Sequence, residues 1–102
     1  VPTKIESGGL AVDFAKRLVT RNGSVVKLTP KEYDVLTALA RHPERLLTHR
    51  QILTAVWGPA HQEDTQYLRV VIGQLRAKIE DDASSPRVLL TEPGIGYRFA
   101  KA

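Results

Sequence analysis

The sequence predicts an α+β domain: a small antiparallel sheet, then three helices, then a C-terminal β-hairpin, the order of a winged helix-turn-helix. Three observations carry this. Residues 1–28 hold short β-like pieces broken by Gly8-Gly9 and Asn22-Gly23. Residues 29–80 hold apolar positions at helical spacing, opened by capping residues and closed by breakers. Near the C-terminus, two strand-like segments flank Pro93-Gly94-Ile95-Gly96.

The β-like pieces are Lys4–Glu6, Leu10–Asp13, Leu18–Arg21 and Val25–Leu28, and Asn22-Gly23 is a strong hairpin signal. The first helix opens with a capping box: Thr29 as N-cap, Pro30 at the first helical position and Glu32 at the third. Tyr33, Leu36, Leu39 and Ala40 make its apolar stripe, and His42-Pro43 ends it. The second helix is capped by Thr48, buries Ile52, Leu53 and Val56, and stops at Gly58-Pro59. A polar loop, 59–63, leads to a third helix from about Asp64 to Glu80. "DDASSP" then turns the chain into the hairpin of "RVLLTE" and "GYRFAK".

At 102 residues the chain is one domain, taken as 1–102, with an ordinary 42% hydrophobic share. No apolar run approaches the roughly 20 residues of a membrane helix, and no signal-peptide pattern is present. The absence of cysteine excludes disulfides and thiolate metal ligation and suits a reducing cytoplasm. Methionine is also absent, even at position 1, so the chain reads as a piece of a longer protein or one processed at its start.

The formal net charge of +4 permits a polyanionic partner without requiring one. Its distribution says more. Residues 65–79 carry Arg69, Arg76 and Lys78 with no acid, while acids stand just before and just after. Stepping about 100° per residue puts Leu68, Ile72, Leu75 and Ile79 on one core-facing stripe of the third helix. Gln66, Val70, Gly73, Gln74 and Ala77 lie opposite. Arg69 and Arg76 flank that face on one side, Tyr67 and Lys78 on the other.

Such a face suits the DNA major groove. Gly73 and Ala77 keep its centre low, Gln66 and Gln74 offer hydrogen bonds to base edges, and Val70 offers a contact for a thymine methyl. Arg69 is long enough to clamp a guanine or grip the backbone, and the cations at the shoulders meet phosphates. The plainer alternatives are a tolerated glycine, a close helix crossing at Gly73 and ordinary solvation of the charges. A protein-interaction winged helix is the competing functional class, although a partner protein favours aromatic anchors over this small polar centre.

Three blocks, "LTPKEYDVLTALARHPERLLTHRQILTAVWG", "YLRVVIGQLRAKIE" and "TEPGIGYRF", resemble the effector domain of OmpR/PhoB-type response regulators in order and spacing. The resemblance covers nearly the whole chain and is greatest to the subfamily that regulates potassium-transport genes. It implies a winged-helix fold with a four-stranded N-terminal sheet, preceded in the full protein by a phosphorylatable receiver domain that a sensor kinase acts on. It further implies double-stranded DNA with direct-repeat half-sites, bound head-to-tail by two regulator protomers. RNA polymerase is implied as a partner for the loop at about 58–64.

By position, the resemblance makes the third helix the recognition helix, with Gln66, Val70, Gly73, Gln74 and Arg76 toward bases and phosphates. Several relatives carry arginine where this chain has Gly73 and Gln74, so its base preference should differ. Thr48 and Trp57 match positions that give N–H groups to phosphate; each also has a structural role, N-cap and core ring respectively. Many family wings read T-V-R-G-x-G-Y. Here Pro93 stands where the arginine would be, leaving Thr91 and, if it points outward, Arg98 for the wing's DNA contacts. Glu92 should turn away from phosphate or pair with a basic neighbour.

Other signals are weak. Gly94-Ile95-Gly96 lacks the third glycine and the following helix of a phosphate loop. His61, Glu63 and Asp64 cluster without a further ligand at metal-binding spacing. No nucleophile–histidine–acid order or paired carboxylates point to catalysis, and neither a cofactor nor a metal is expected.

Overall fold

The computed structural model describes residues 3–101; Val1, Pro2 and Ala102, at the limits of the 1–102 domain, lie outside the described residues. Four short strands open the chain: β1 (Lys4–Ser7), β2 (Leu10–Asp13), β3 (Leu18–Arg21) and β4 (Ser24–Val25). They form an antiparallel sheet in sequence order, with Ile5 opposite Val12 and Val12 opposite Val19. Asn22 and Gly23 both adopt positive φ, 51° and 85°, as a tight hairpin requires. The fourth strand is shorter than the anticipated Val25–Leu28. Its ladder ends where Val26 gives a last N–H to Val19 O, just before the Thr29 cap redirects the chain.

Helix α1 (Pro30–Ala40) carries the anticipated capping box: the Glu32 N–H donates to Thr29 Oγ1 at 3.3 Å and the Thr29 N–H donates to Glu32 Oε1 at 2.9 Å. The same device opens α2 (His49–Trp57), where the Gln51 and Thr48 N–H groups donate reciprocally to Thr48 Oγ1 and Gln51 Oε1. Gly58 ends α2 with φ of 99°. A 3-10 turn, Pro59–His61, leads to α3 (Thr65–Ile79).

One strand was not apparent in the sequence. Leu46–Thr48 forms β5, which pairs with β7 (Gly96–Phe99), while β6 (Leu89–Glu92) pairs with the other edge of β7. The hairpin is therefore part of a three-stranded sheet, order β5-β7-β6, tied directly to the start of α2. Gly96 makes this possible: a Cβ there would lie 1.9 Å from Leu47 O.

A single core joins the parts. Leu10, Val12 and Val19 of the first sheet are buried in one cluster with Leu36, Leu39, Ile52, Leu53 and Phe99. The α3 stripe Leu68, Ile72, Leu75 and Ile79 is buried as the spacing implied, joined by Val71, while Val56 of α2 is only half-buried. Where α3 ends, the buried Glu80 carboxylate accepts N–H groups from Arg87, Val88 and Leu89, so the helix terminus clamps the entry to β6.

Candidate nucleic-acid interface

Because α3 buries one stripe, its opposite face is left to solvent. Gln66, Arg69, Val70, Gly73, Gln74 and Ala77 are all exposed, and Val70, an apolar residue, is 59% exposed. The side chains of Gln66, Arg69 and Gln74 make no hydrogen bond or ion pair among the described residues. A Cβ built on Gly73 meets nothing within 4 Å, which removes the close-crossing explanation for this glycine. The fold tolerates a side chain there, so the helix carries a glycine's entropic cost without a packing reason.

The two shoulder cations at the end of the helix differ from Arg69. Arg76 reaches across to the hairpin, its Nε and an Nη donating to Leu89 O at 3.1 and 2.7 Å, with a further bond to Thr91 Oγ1 at 2.6 Å. Its guanidinium also lies 5.8 Å from the Tyr97 ring centroid. These are neutral acceptors, so its positive charge is not cancelled. Lys78, which has no acid nearby in the sequence, finds one across the fold: its ammonium pairs with the Glu32 carboxylate at 2.6 Å. Sequence reading missed that partner because Glu32, 46 positions away, was already accounted for by the Thr29 cap. Burial by itself would raise the Glu32 carboxyl, but the Lys78 hydrogen bond, the Thr29 backbone N–H and the Lys78 charge together hold it below its ordinary value of 4.5.

The other sequence-picked residues fall in two places. Thr48, Thr91 and Arg98 gather around β7: Thr48 pairs with Gly96 and Thr91 with Tyr97, while Arg98 forms an ion pair with Glu92. That pair meets the expectation that Glu92 finds a basic neighbour, and it commits Arg98 within the hairpin. Trp57 stands apart at the end of α2, half-buried, with Lys31 Nζ 5.4 Å from its ring centroid. Lys31 also donates to Val56 O at 3.0 Å, satisfying a carbonyl of the last helical turn.

At its tip the wing is uncharged and tethered. Ile95, 51% exposed, accepts the His49 N–H at 3.1 Å through its backbone oxygen, and the His49 ring packs edge-on against Tyr97. The tip therefore abuts the N-terminus of α2, a link that no local sequence signal announces. In the loop before α3, His61 Nδ1 lies 2.8 Å from Asp64 Oδ2, and Asp64 gives α3 no side-chain cap. Among the described residues no group of His, Asp and Glu could hold a metal ion.

A low, polar helix face with a free arginine, backed by a hairpin bonded to the same helix, is the geometry of a groove-docking winged helix. Comparison with known proteins agrees. Residues 23–99 match the family described as "Transcriptional regulatory protein, C terminal". The KdpE transcriptional regulatory protein of Mycobacterium tuberculosis is 48% identical over 95 residues, 93% of this chain and 42% of that protein. The chain thus spans less than half the length of that relative. The crystal structure of the Thermotoga maritima response regulator DrrB, an OmpR/PhoB homolog, superposes with a TM-score of 0.85 at 30% identity, covering 96% of this chain and 44% of that one. The DNA-binding domain of Klebsiella pneumoniae RstA, solved in complex with the RstA box, gives 0.87 at 29% identity, covering 99% and 100%. The chain belongs to the C-terminal domains of transcriptional regulatory proteins, as a winged-helix effector domain of OmpR/PhoB type and not an enzyme.

Proposed function

We propose that this domain binds double-stranded DNA sequence-specifically, with α3 in the major groove, as the effector of a cytoplasmic two-component regulator. The observation that carries the reading is the solvent face of α3: polar or small apart from the exposed Val70, unengaged by the fold, and open above Gly73. Gln66 and Gln74 read base edges, Val70 meets a thymine methyl, and Arg69 clamps a guanine or a phosphate. Thr48, Trp57 and Arg76 face phosphates. Thr48 Oγ1 accepts from Gln51, and its hydroxyl hydrogen remains available to donate. Thr91, beside Arg76, touches the backbone, whereas Arg98 has its charge balanced by Glu92 and serves the wing's shape.

The similarity to KdpE supports potassium-transport genes as targets. In the full protein a receiver domain precedes this chain and a sensor kinase phosphorylates it. Two protomers occupy direct-repeat half-sites, and the 58–64 segment touches RNA polymerase. Selection of bound duplexes from a randomised library tests the reading. A consensus in two head-to-tail copies is the expected result; no enrichment, with binding insensitive to salt, would leave the protein-interaction alternative standing.

A further inference from the structure

Helix α3 is tied on both flanks within one turn. Arg76 bonds the wing through Leu89 O and Thr91 Oγ1; Lys78 bonds α1 through Glu32. Residues two apart on a helix differ by about 200°, so the two ties hold opposite sides. The Lys78 tie is the more buried. Glu32 is 2% exposed, and the oxygen that accepts from Lys78 at 2.6 Å is the one that accepts the Thr29 N–H at 2.9 Å. A carboxylate so enclosed is stabilised by a charged partner, and Lys78 is its only ion pair among the described residues.

We propose that Lys78 is a positioning residue for base readout: its pair with Glu32 fixes the roll of α3 about its own axis, and it does not grip phosphate. The inference rests on α3 being the recognition helix. The buried stripe holds the height of α3 and limits its rotation by close packing, and directional polar ties add to that restraint. Roll matters for readout. A side-chain tip about 6 Å from the axis moves about 1 Å for a 10° rotation. That exceeds the roughly 0.5 Å window of a good N–H···O bond. An ion pair to α1 on one flank and a guanidinium bridge to the wing on the other oppose rotation in both senses.

The phosphate-gripping alternative makes the opposite forecast for one variant. Glu32→Gln keeps an amide oxygen for the Thr29 N–H while releasing the Lys78 ammonium. A lysine meant for phosphate would then bind DNA as well as before or better; a positioning lysine would lose its anchor.

Lys78→Met, Glu32→Gln and Lys78→Arg are compared with wild type on a duplex that the wild-type chain enriches from a random pool and on a scrambled version of it, across a salt series. Lys78→Met and Glu32→Gln should each weaken the enriched duplex about tenfold, on the order of one lost base pair's worth of readout. Scrambled-duplex affinity should stay within about twofold and the salt slope should not change, while Lys78→Arg restores most of the preference. A slope shallower by about 0.9 in Lys78→Met, with both duplexes weakened alike, would identify a phosphate contact and overturn the proposal. A lowered unfolding temperature with an unchanged ratio between duplexes would reduce Lys78 to a stabilising role and overturn it too. Should Lys78→Met fail to fold, Glu32→Gln carries the test alone. Failure of the wild type to enrich any sequence is a separate result that removes the recognition-helix reading as well.

Discussion

Replacing Gly73 separates what the fold needs from what docking needs. An added Cβ meets nothing within 4 Å, so Gly73→Leu changes the free domain only through helix propensity. Glycine costs about 1 kcal/mol and leucine about 0.2 relative to alanine, so the variant should be more stable by about 0.8 kcal/mol. For a domain of this size that raises the unfolding midpoint by roughly 3–6 °C, measurable by circular dichroism. On DNA the sign reverses. Leucine projects roughly 3–4 Å beyond the glycine Cα, built from C–C bonds of about 1.5 Å. Gln66 and Gln74, on the same face, would then stand outside hydrogen-bonding range of the base edges. Losing even one good base contact costs about 1–3 kcal/mol, so affinity for an enriched duplex should fall at least about fivefold by fluorescence anisotropy. Gly73→Ala should stabilise similarly and bind equally or more weakly. If Gly73→Leu is stabilised yet binds the duplex as tightly as wild type, the face does not dock where the reasoning puts it.

Other substitutions probe separate links. Gly96→Ala forces a Cβ to within 1.9 Å of Leu47 O. It should cost about 3 kcal/mol or more in urea unfolding; a wild-type midpoint would show that β5 does not pack on β7 as described. Gln74→Ala should leave stability unchanged and flatten the preference at one base pair in a repeated selection, a loss of about 1–3 kcal/mol of discrimination. Arg69→Ala should relax preference and also weaken scrambled duplexes if its guanidinium grips the backbone; unaltered binding to both would remove it from the interface. The depressed Glu32 carboxyl makes a pH prediction. Its folded-state pKa lies below the unfolded one, so its stabilisation is present above the unfolded value and is lost as pH falls through the folded value. Urea unfolding from neutral pH down to about pH 3 should therefore show a steeper acid-side decline in wild type than in Glu32→Gln, and parallel curves would argue against the pair.

Features encoded within a few residues were legible in the sequence. Thr29 with Glu32 announced α1, Thr48 announced α2, and Asn22-Gly23 announced the β3–β4 turn, because caps and tight turns are local chemistry. The exposed face of α3 followed from helical periodicity alone. What escaped depends on distant partners. Leu46–Thr48 is too short to show alternation and is a strand only because β7 pairs with it, Leu47 standing opposite Tyr97 fifty residues on. Lys78 looked free because its partner carboxylate belongs to the cap of another helix. Arg76 reads from the sequence only as a contact to bases and phosphates, and its bonds to Leu89 and Thr91 appear only once the wing folds back on α3. The sequence delimits a candidate face; the structure shows which of its cations the fold has already engaged.

The most direct test of α3 in the major groove joins a base modification to a side-chain deletion. Replacing adenines of the enriched duplex one at a time by 7-deaza-adenine removes the N7 acceptor from the major groove and leaves the minor groove untouched. The account predicts that one such position weakens wild-type binding by about 1–3 kcal/mol and that Gln74→Ala abolishes most of this sensitivity, because a glutamine pairs with adenine N6 and N7. Wild-type affinity indifferent to deaza substitution at every adenine would contradict it.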